Sequence, residues 1–204
     1  MMNMHKILLT LCTCLGLYAS PQYDLKYKLQ SLDEQIGIFH VKCDKNKNVY
    51  TYTNTFNINF EYFFKTYKYA YSEVAKVKDG KLLSVLAHKN EDGKMKKIRA
   101  KTKNNILIYE DGKSIDLSLV DYLPFDIRES TIIPSSQQKK FKRRTFEALS
   151  AKRIFETYTL MANKGEGSSY EIKNNEKTEL KTYDKNGILI YSKNTLFEMI
   201  LLEK

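Results

Sequence analysis

The sequence has no tryptophan, and only three cysteines, three prolines, three histidines and eight glycines. Each scarcity removes a class. So little Gly and Pro excludes collagen-like and low-complexity chains. Cys12 and Cys14 lie in an apolar N-terminal run, which leaves Cys43 alone in the body of the chain. A lone cysteine closes no internal disulfide, and with His40 and His88 far apart it supplies no zinc set of the usual spacing. No cofactor is expected. Nucleophile elbows, phosphate-cradling glycine loops and His-Glu-x-x-His pairs are absent. Gly165-Glu-Gly167 is too short for a dinucleotide fingerprint and reads as a loop. Asp33-Glu34, Glu91-Asp92 and Glu110-Asp111 stand beside turns, where carboxylates are ordinarily solvated. General acid–base and nucleophilic catalysis therefore lack players, and a non-enzyme is expected.

What is present starts with an address. Residues 1–20 combine Lys6, an apolar run over Ile7–Leu17 and the small residues Ala19 and Ser20 before Pro21. That is the pattern of a secretory signal peptide. It is too short for a membrane span, which needs about 20 apolar residues. Cys12 and Cys14 lack the small preceding residue that lipid attachment requires, so soluble export to the periplasm is expected, with residues 21–204 as a single β domain and no integral span after signal removal.

From Gln22 onward the hydrophobic period is two. Tyr23, Leu25, Tyr27 and Leu29 alternate with charged residues, and Ile36–Cys43, Val49–Glu61, Tyr67–Lys78, Lys81–His88, Lys94–Lys103, Ile106–Tyr109, Ser114–Leu119, Thr178–Asp184 and Ile188–Lys193 continue the theme. Asp79-Gly80, Asp92-Gly93, Asp111-Gly112 and Asn186-Gly187 separate these runs with residues that take positive φ cheaply. The fold class is mainly β: a single curved antiparallel sheet of roughly nine or ten strands, a half-barrel or β-clam or else a closed barrel, with at most one or two short helices. One helix is expected at Gln137–Leu149, capped by Ser135-Ser136. Asn163–Ser169 reads as a loop tip.

Three segments carry a resemblance. They are Tyr23-Asp24 with Gln35-Ile36-Gly37, the run Glu73–Lys94, and Tyr183-Asp184-Lys-Asn-Gly-Ile-Leu189. In this order they resemble a family of exported bacterial proteins known only as a domain of unknown function. Its members are similar in shape to the half-barrels of lipoprotein carriers. The chain departs from the family's pattern at Thr182, where a tryptophan is usual. The resemblance implies an envelope protein with a groove, and brings no catalytic residue.

A formal charge of +10 in an exported protein points away from nucleic acid and toward a lipid or another anionic envelope component. Lys97, Arg99, Lys101 and Lys103 share one strand face, and Lys139, Lys140, Lys142, Arg143 and Arg144 form a second cluster. Phe56 and Phe60 share a parity, as do Tyr67, Tyr69 and Tyr71. Sheet packing accounts for such aromatics, and a surplus beyond the core would line a groove. The leading expectation is a non-catalytic periplasmic binding or carrier protein. It would hold an apolar ligand on Phe56, Phe60, Tyr67, Tyr69 and Tyr71, with the four cations of Lys97–Lys103 meeting an anionic head group. The alternative is an envelope protein–protein interaction module that docks an acidic partner on Lys139–Arg144. An outer-membrane barrel ranks behind both, because Lys26, Lys28, Lys68, Lys76, Arg99 and Lys101 interrupt the lipid-facing strands it would need.

Overall fold

The computed structural model describes residues 22–62, 64–133, 139–164, 167–174 and 177–204. The expected signal peptide, residues 1–20, and the expected cap Ser135-Ser136 lie outside the described residues.

Alternating sequence becomes strand after strand. The first half holds β1 (Tyr23–Ser31), β2 (Glu34–Asn46), β3 (Val49–Tyr62), β4 (Lys65–Lys78), β5 (Lys81–Glu91), β6 (Lys94–Lys103), β7 (Ile106–Tyr109) and β8 (Ser114–Asp116). A single 3-10 turn at Leu117–Leu119 and a one-turn helix, α1 (Glu129–Ile132), follow. The second half holds β9 (Lys140–Glu147), β10 (Lys152–Lys164), β11 (Gly167–Lys173), β12 (Thr178–Asp184), β13 (Leu189–Lys193) and β14 (Glu198–Glu203). All fourteen strands join one antiparallel sheet in the order β8-β7-β6-β5-β4-β3-β2-β1-β14-β13-β12-β11-β10-β9. The sheet is open, with β8 and β9 as its two edges, which decides between the half-barrel and the closed barrel.

Register aligns the inward residues in rows. Tyr27, Phe39, Phe56 and Tyr71 lie side by side on β1 to β4, and Leu29, Gly37, Ile58 and Tyr69 form the next row. Gly37 is obligatory there. A Cβ on it would fall 2.0 Å from the Asn57 carbonyl oxygen of the neighbouring strand. Burial on the concave side falls into two cores. One gathers Cys43, Tyr52, Ala75, Val85, Leu107 and Phe146, and the other Leu25, Tyr27, Tyr158, Tyr170, Tyr183 and Leu189.

The connection from β8 to β9 is structural. Its Phe125 enters the first core and its Ile132 the second, both almost without exposure. Phe125 meets Phe146 edge-on at 5.8 Å. Asp121 ties the segment to the edge strand β9, donating its backbone N–H to the Arg144 carbonyl at 2.8 Å and accepting from the Arg144 backbone N–H at 2.7 Å. An edge covered in this way has few groups free for pairing with a second chain.

Two expectations are corrected. The sheet has fourteen strands, more than the nine or ten expected. Residues 140–147 of the expected helix Gln137–Leu149 form β9 instead, paired with β10 along its whole length. Phe141 stacks flat on Tyr158 at 5.0 Å across that pair, and packing of this kind overrides a weak helical propensity. At the expected loop tip Asn163–Ser169, β10 runs to Lys164 and β11 starts at Gly167, its hairpin partner.

Candidate functional site

The aromatic rows of β3 and β4 run past the core toward the end of the sheet that carries the β1–β2, β3–β4 and β5–β6 turns. There they line a cavity of about 840 Å³. Ile36, Phe56, Ile58, Phe60, Tyr67, Tyr69 and Tyr71, on β2 to β4, form its sheet wall, and Leu149, Leu196 and Phe197, from the β9–β10 and β13–β14 turns, complete the lining. Phe60 and Tyr67 stack at 5.1 Å, and Phe56 meets Tyr69 and Phe197 at 5.7 and 6.0 Å. The walls are predominantly apolar, the character expected of a small-molecule site.

Charge at the rim is of both signs. Glu91 pairs with Lys89 at 2.7 Å, and the Lys89 ammonium lies 5.2 Å above the Tyr69 ring. Asp92 accepts the Lys68 backbone N–H at 2.8 Å, which joins the β5–β6 turn to the β3–β4 tip. Glu147 accepts the Ser150 hydroxyl at 2.5 Å.

Beneath the cavity lies a buried acid. Glu73 accepts hydrogen bonds from the Tyr71 hydroxyl and the Asn54 amide, and desolvation still pushes its pKa up to about 7. Burial also raises the Tyr71 and Tyr109 phenols. The Asn54 Oδ1 and Tyr109 Oη atoms are buried without a hydrogen-bond partner.

The five aromatic residues singled out from the sequence thus share one cavity. The four cations assigned to the same ligand do not. Lys97, Arg99, Lys101 and Lys103 point away from the interior, because Ala100 between them is the buried parity of β6. Arg99 pairs with Glu110 at 3.7 Å on that outer face. The second basic cluster is also divided. Arg143 donates to the Ile132 carbonyl at 2.8 Å, and the Arg144 guanidinium to Asp121 at 2.8 Å. Lys139, Lys140 and Lys142 are exposed.

Two polar centres in the interior had no signal in the sequence, because each joins the β8–β9 connection to strand residues far from it in sequence. In one, Asp126 pairs with Arg128 and accepts the Tyr23 and Tyr52 hydroxyls at 3.4 and 3.2 Å. A second cavity, about 640 Å³, opens beside it between Leu82, Leu117 and Leu123. In the other, Glu156 accepts the Tyr122 and Tyr158 hydroxyls at 2.5 and 2.8 Å. Nearby, Glu179 accepts the Ser192 hydroxyl at 2.6 Å, and the carboxylate raises the Lys181 ammonium despite its desolvation. These groups satisfy one another. The Cys43 thiol is 1 % exposed, and burial followed by the Asp126 charge pushes it up to about 11. No group of three or more His, Cys, Asp or Glu able to hold a metal ion occurs among the described residues. No helix among them is long and apolar enough to cross a membrane.

A DUF1089 family protein from Pseudomonas aeruginosa has a similar structure, with a TM-score of 0.47 and 14% identity, covering 86% of this chain and 91% of its own. No curated protein matches the chain. The sequence pattern of DUF6134, a domain of unknown function, matches residues 27–195, and the chain belongs to that family.

Proposed function

We propose that this protein is a non-catalytic, exported binding protein of carrier type that holds a hydrophobic ligand in the cavity between Tyr69 and Phe197. One observation carries the reading: an apolar space of about 840 Å³ walled by side chains left over from the core. A concave cleft of that size, lined by aromatic and aliphatic side chains, has the dimensions and character of a small-molecule site. The non-catalytic part rests on the carboxylates at the rim, each already engaged by Lys89, the Lys68 amide or Ser150. Export rests on the pattern of residues 1–20. With Lys97–Lys103 on the outer face, the ligand needs no anionic head group.

The test is uptake by mature protein prepared without detergent and stripped of bound lipid. A fluorescent fatty-acid or other apolar probe is expected to bind one per chain, and Ile58→Trp, which pushes an indole into the space from its sheet wall, is expected to weaken uptake while the fold persists. If wild-type protein takes up no apolar probe and yields none on organic extraction, the reading fails.

A further inference from the structure

The cations of β6 face away from the cavity and belong to a surface of their own. Pairing across β3 to β6 sets Thr51, Lys76, Ser84 and Lys101 in one outward row. Thr53, Val74, Leu86 and Arg99 form the next, and Thr55, Ser72, His88 and Lys97 the third. Lys103 follows Lys101 on the same face of β6. That strand therefore presents its cations about 6.8 Å apart, along a line of roughly 20 Å. Lys76 lies two strands from Lys101, at about 10 Å.

Among the described residues of β4, β5 and β6, no Asp or Glu shares this outward parity. Around it the charges are matched. On β1 and β2, Lys26 pairs with Glu203 at 3.1 Å, Lys42 with Asp44 at 3.2 Å, and His40 with Asp24. Just beyond β7, Glu110 reaches Arg99 at 3.7 Å, and Asp116 on β8 accepts the Ser118 backbone N–H and hydroxyl. Lys76, Lys97, Lys101 and Lys103 are exposed and have no carboxylate partner among the described residues. Their mutual repulsion is a cost to the folded state that a bound polyanion relieves.

From this placement we infer that the outward face of β4 to β6 binds a linear polysaccharide bearing carboxylates, its chain laid along β6 over Lys97, Arg99, Lys101 and Lys103. The inference rests on the proposed export and not on the cavity. Thr51, Thr53, Thr55, Ser72 and Ser84 set neutral hydroxyls beside the cations, donors and acceptors that suit a sugar. No Phe or Tyr stands on this face among the described residues of β3 to β6. Its central apolar residues, Val74 and Leu86, are half-buried, and exposed Met95 lies at one end. Protein interfaces are depleted of Lys and built on aromatic anchors, and a bilayer site needs apolar side chains that insert. A hydrated polyanion needs only charge and hydrogen bonds, and a flexible chain follows a curved sheet. Export places the face among envelope polymers and away from nucleic acid.

The test compares polygalacturonate with the same polymer fully methyl-esterified. Wild-type protein is expected to bind the charged polymer, to bind the ester about tenfold more weakly or less, and to lose affinity as salt rises. Lys97→Glu with Lys101→Glu is expected to weaken binding about tenfold or more, at unchanged melting temperature and unchanged uptake of an apolar probe. Lys97→Gln with Lys101→Gln, a milder change at the same positions, is expected to act in the same direction. Lys139→Glu with Lys140→Glu alters net charge equally on β9 and its approach, and is expected to leave binding almost unchanged. Equal losses in the two Glu pairs would overturn the face and leave only net charge. Wild-type binding to the polymer no tighter than to its ester overturns the inference. So does a preference, at equal salt, for duplex DNA or phosphatidylglycerol vesicles, which would name that class of partner instead. Polymer binding by protein that takes up no apolar probe supports the face and strikes the cavity reading alone.

Discussion

Glu73 occupies a position where β-sheet alternation demands a core residue, between Asn54 on β3 and Ala87 on β5. A buried carboxyl there holds its proton to about pH 7, against 4.5 ordinarily, because desolvation outweighs the hydrogen bonds from Tyr71 and Asn54. The folded state therefore binds a proton that the unfolded chain has already released. Stability from this group is complete below about pH 4.5 and is lost as pH rises toward 7. Melting temperature is expected to fall between pH 5 and roughly 7.5. Glu73→Gln, which keeps the shape without the charge, is expected to flatten that fall and to leave the variant more stable than wild type at pH 8. A parallel fall in both proteins would show that Glu73 is not its source. Cys43 offers a second check at this scale. A thiol 1 % exposed and raised to about 11 is expected to resist a disulfide reagent at pH 8 until the protein unfolds, and rapid labelling of native protein would contradict the burial described.

Among the elements, the β8–β9 connection bears most on the fold. Phe125 fills the first core against Phe146, so Phe125→Ala is expected to cost about 3–5 kcal/mol in denaturant unfolding. A loss under 1 kcal/mol would mean that the segment lies on the sheet without supporting it. The hairpins were legible because turn chemistry is local. Asp79-Gly80, Asp92-Gly93 and Asn104-Asn105 each take positive φ at both residues. The turn at Leu32-Asp33 adopts the same geometry with no such signal, and β9 lies within the expected helix because Ser135-Ser136 suit a cap and Phe141, Phe146 and Leu149 fall loosely on one helical stripe. Its strand state comes from hairpin pairing with β10 and from Phe141 stacking on Tyr158, contacts made across the pair that the pattern of β9 alone does not show.

For the whole molecule, period-two alternation showed that each strand has two faces. It showed less well which face turns inward. On β3 and β4 the aromatic parity could be grouped, and Phe56, Phe60, Tyr67, Tyr69 and Tyr71 do share one cavity. On β6 the cationic parity was joined to the same ligand, yet Ala100 buries and its charged neighbours face outward. Small residues such as Ala100 carry little hydrophobic signal, so the inward face of β6 was settled only by packing against Val85 and Tyr109. The Asp126–Arg128 and Glu156–Tyr158 centres depend on how far the sheet curls and where the β8–β9 segment crosses it, and neither quantity is written in local sequence. The cavity itself is also a property of that curl.

The central claim is that this space is filled by a hydrophobic ligand. Mature protein prepared without detergent would be delipidated and titrated with an apolar fluorescent probe, wild type beside Ile58→Trp. Saturable uptake of about one probe per chain by wild type, weakened in Ile58→Trp at unchanged melting temperature, is the result the account predicts. Equal uptake by both, or none by wild type, would contradict it.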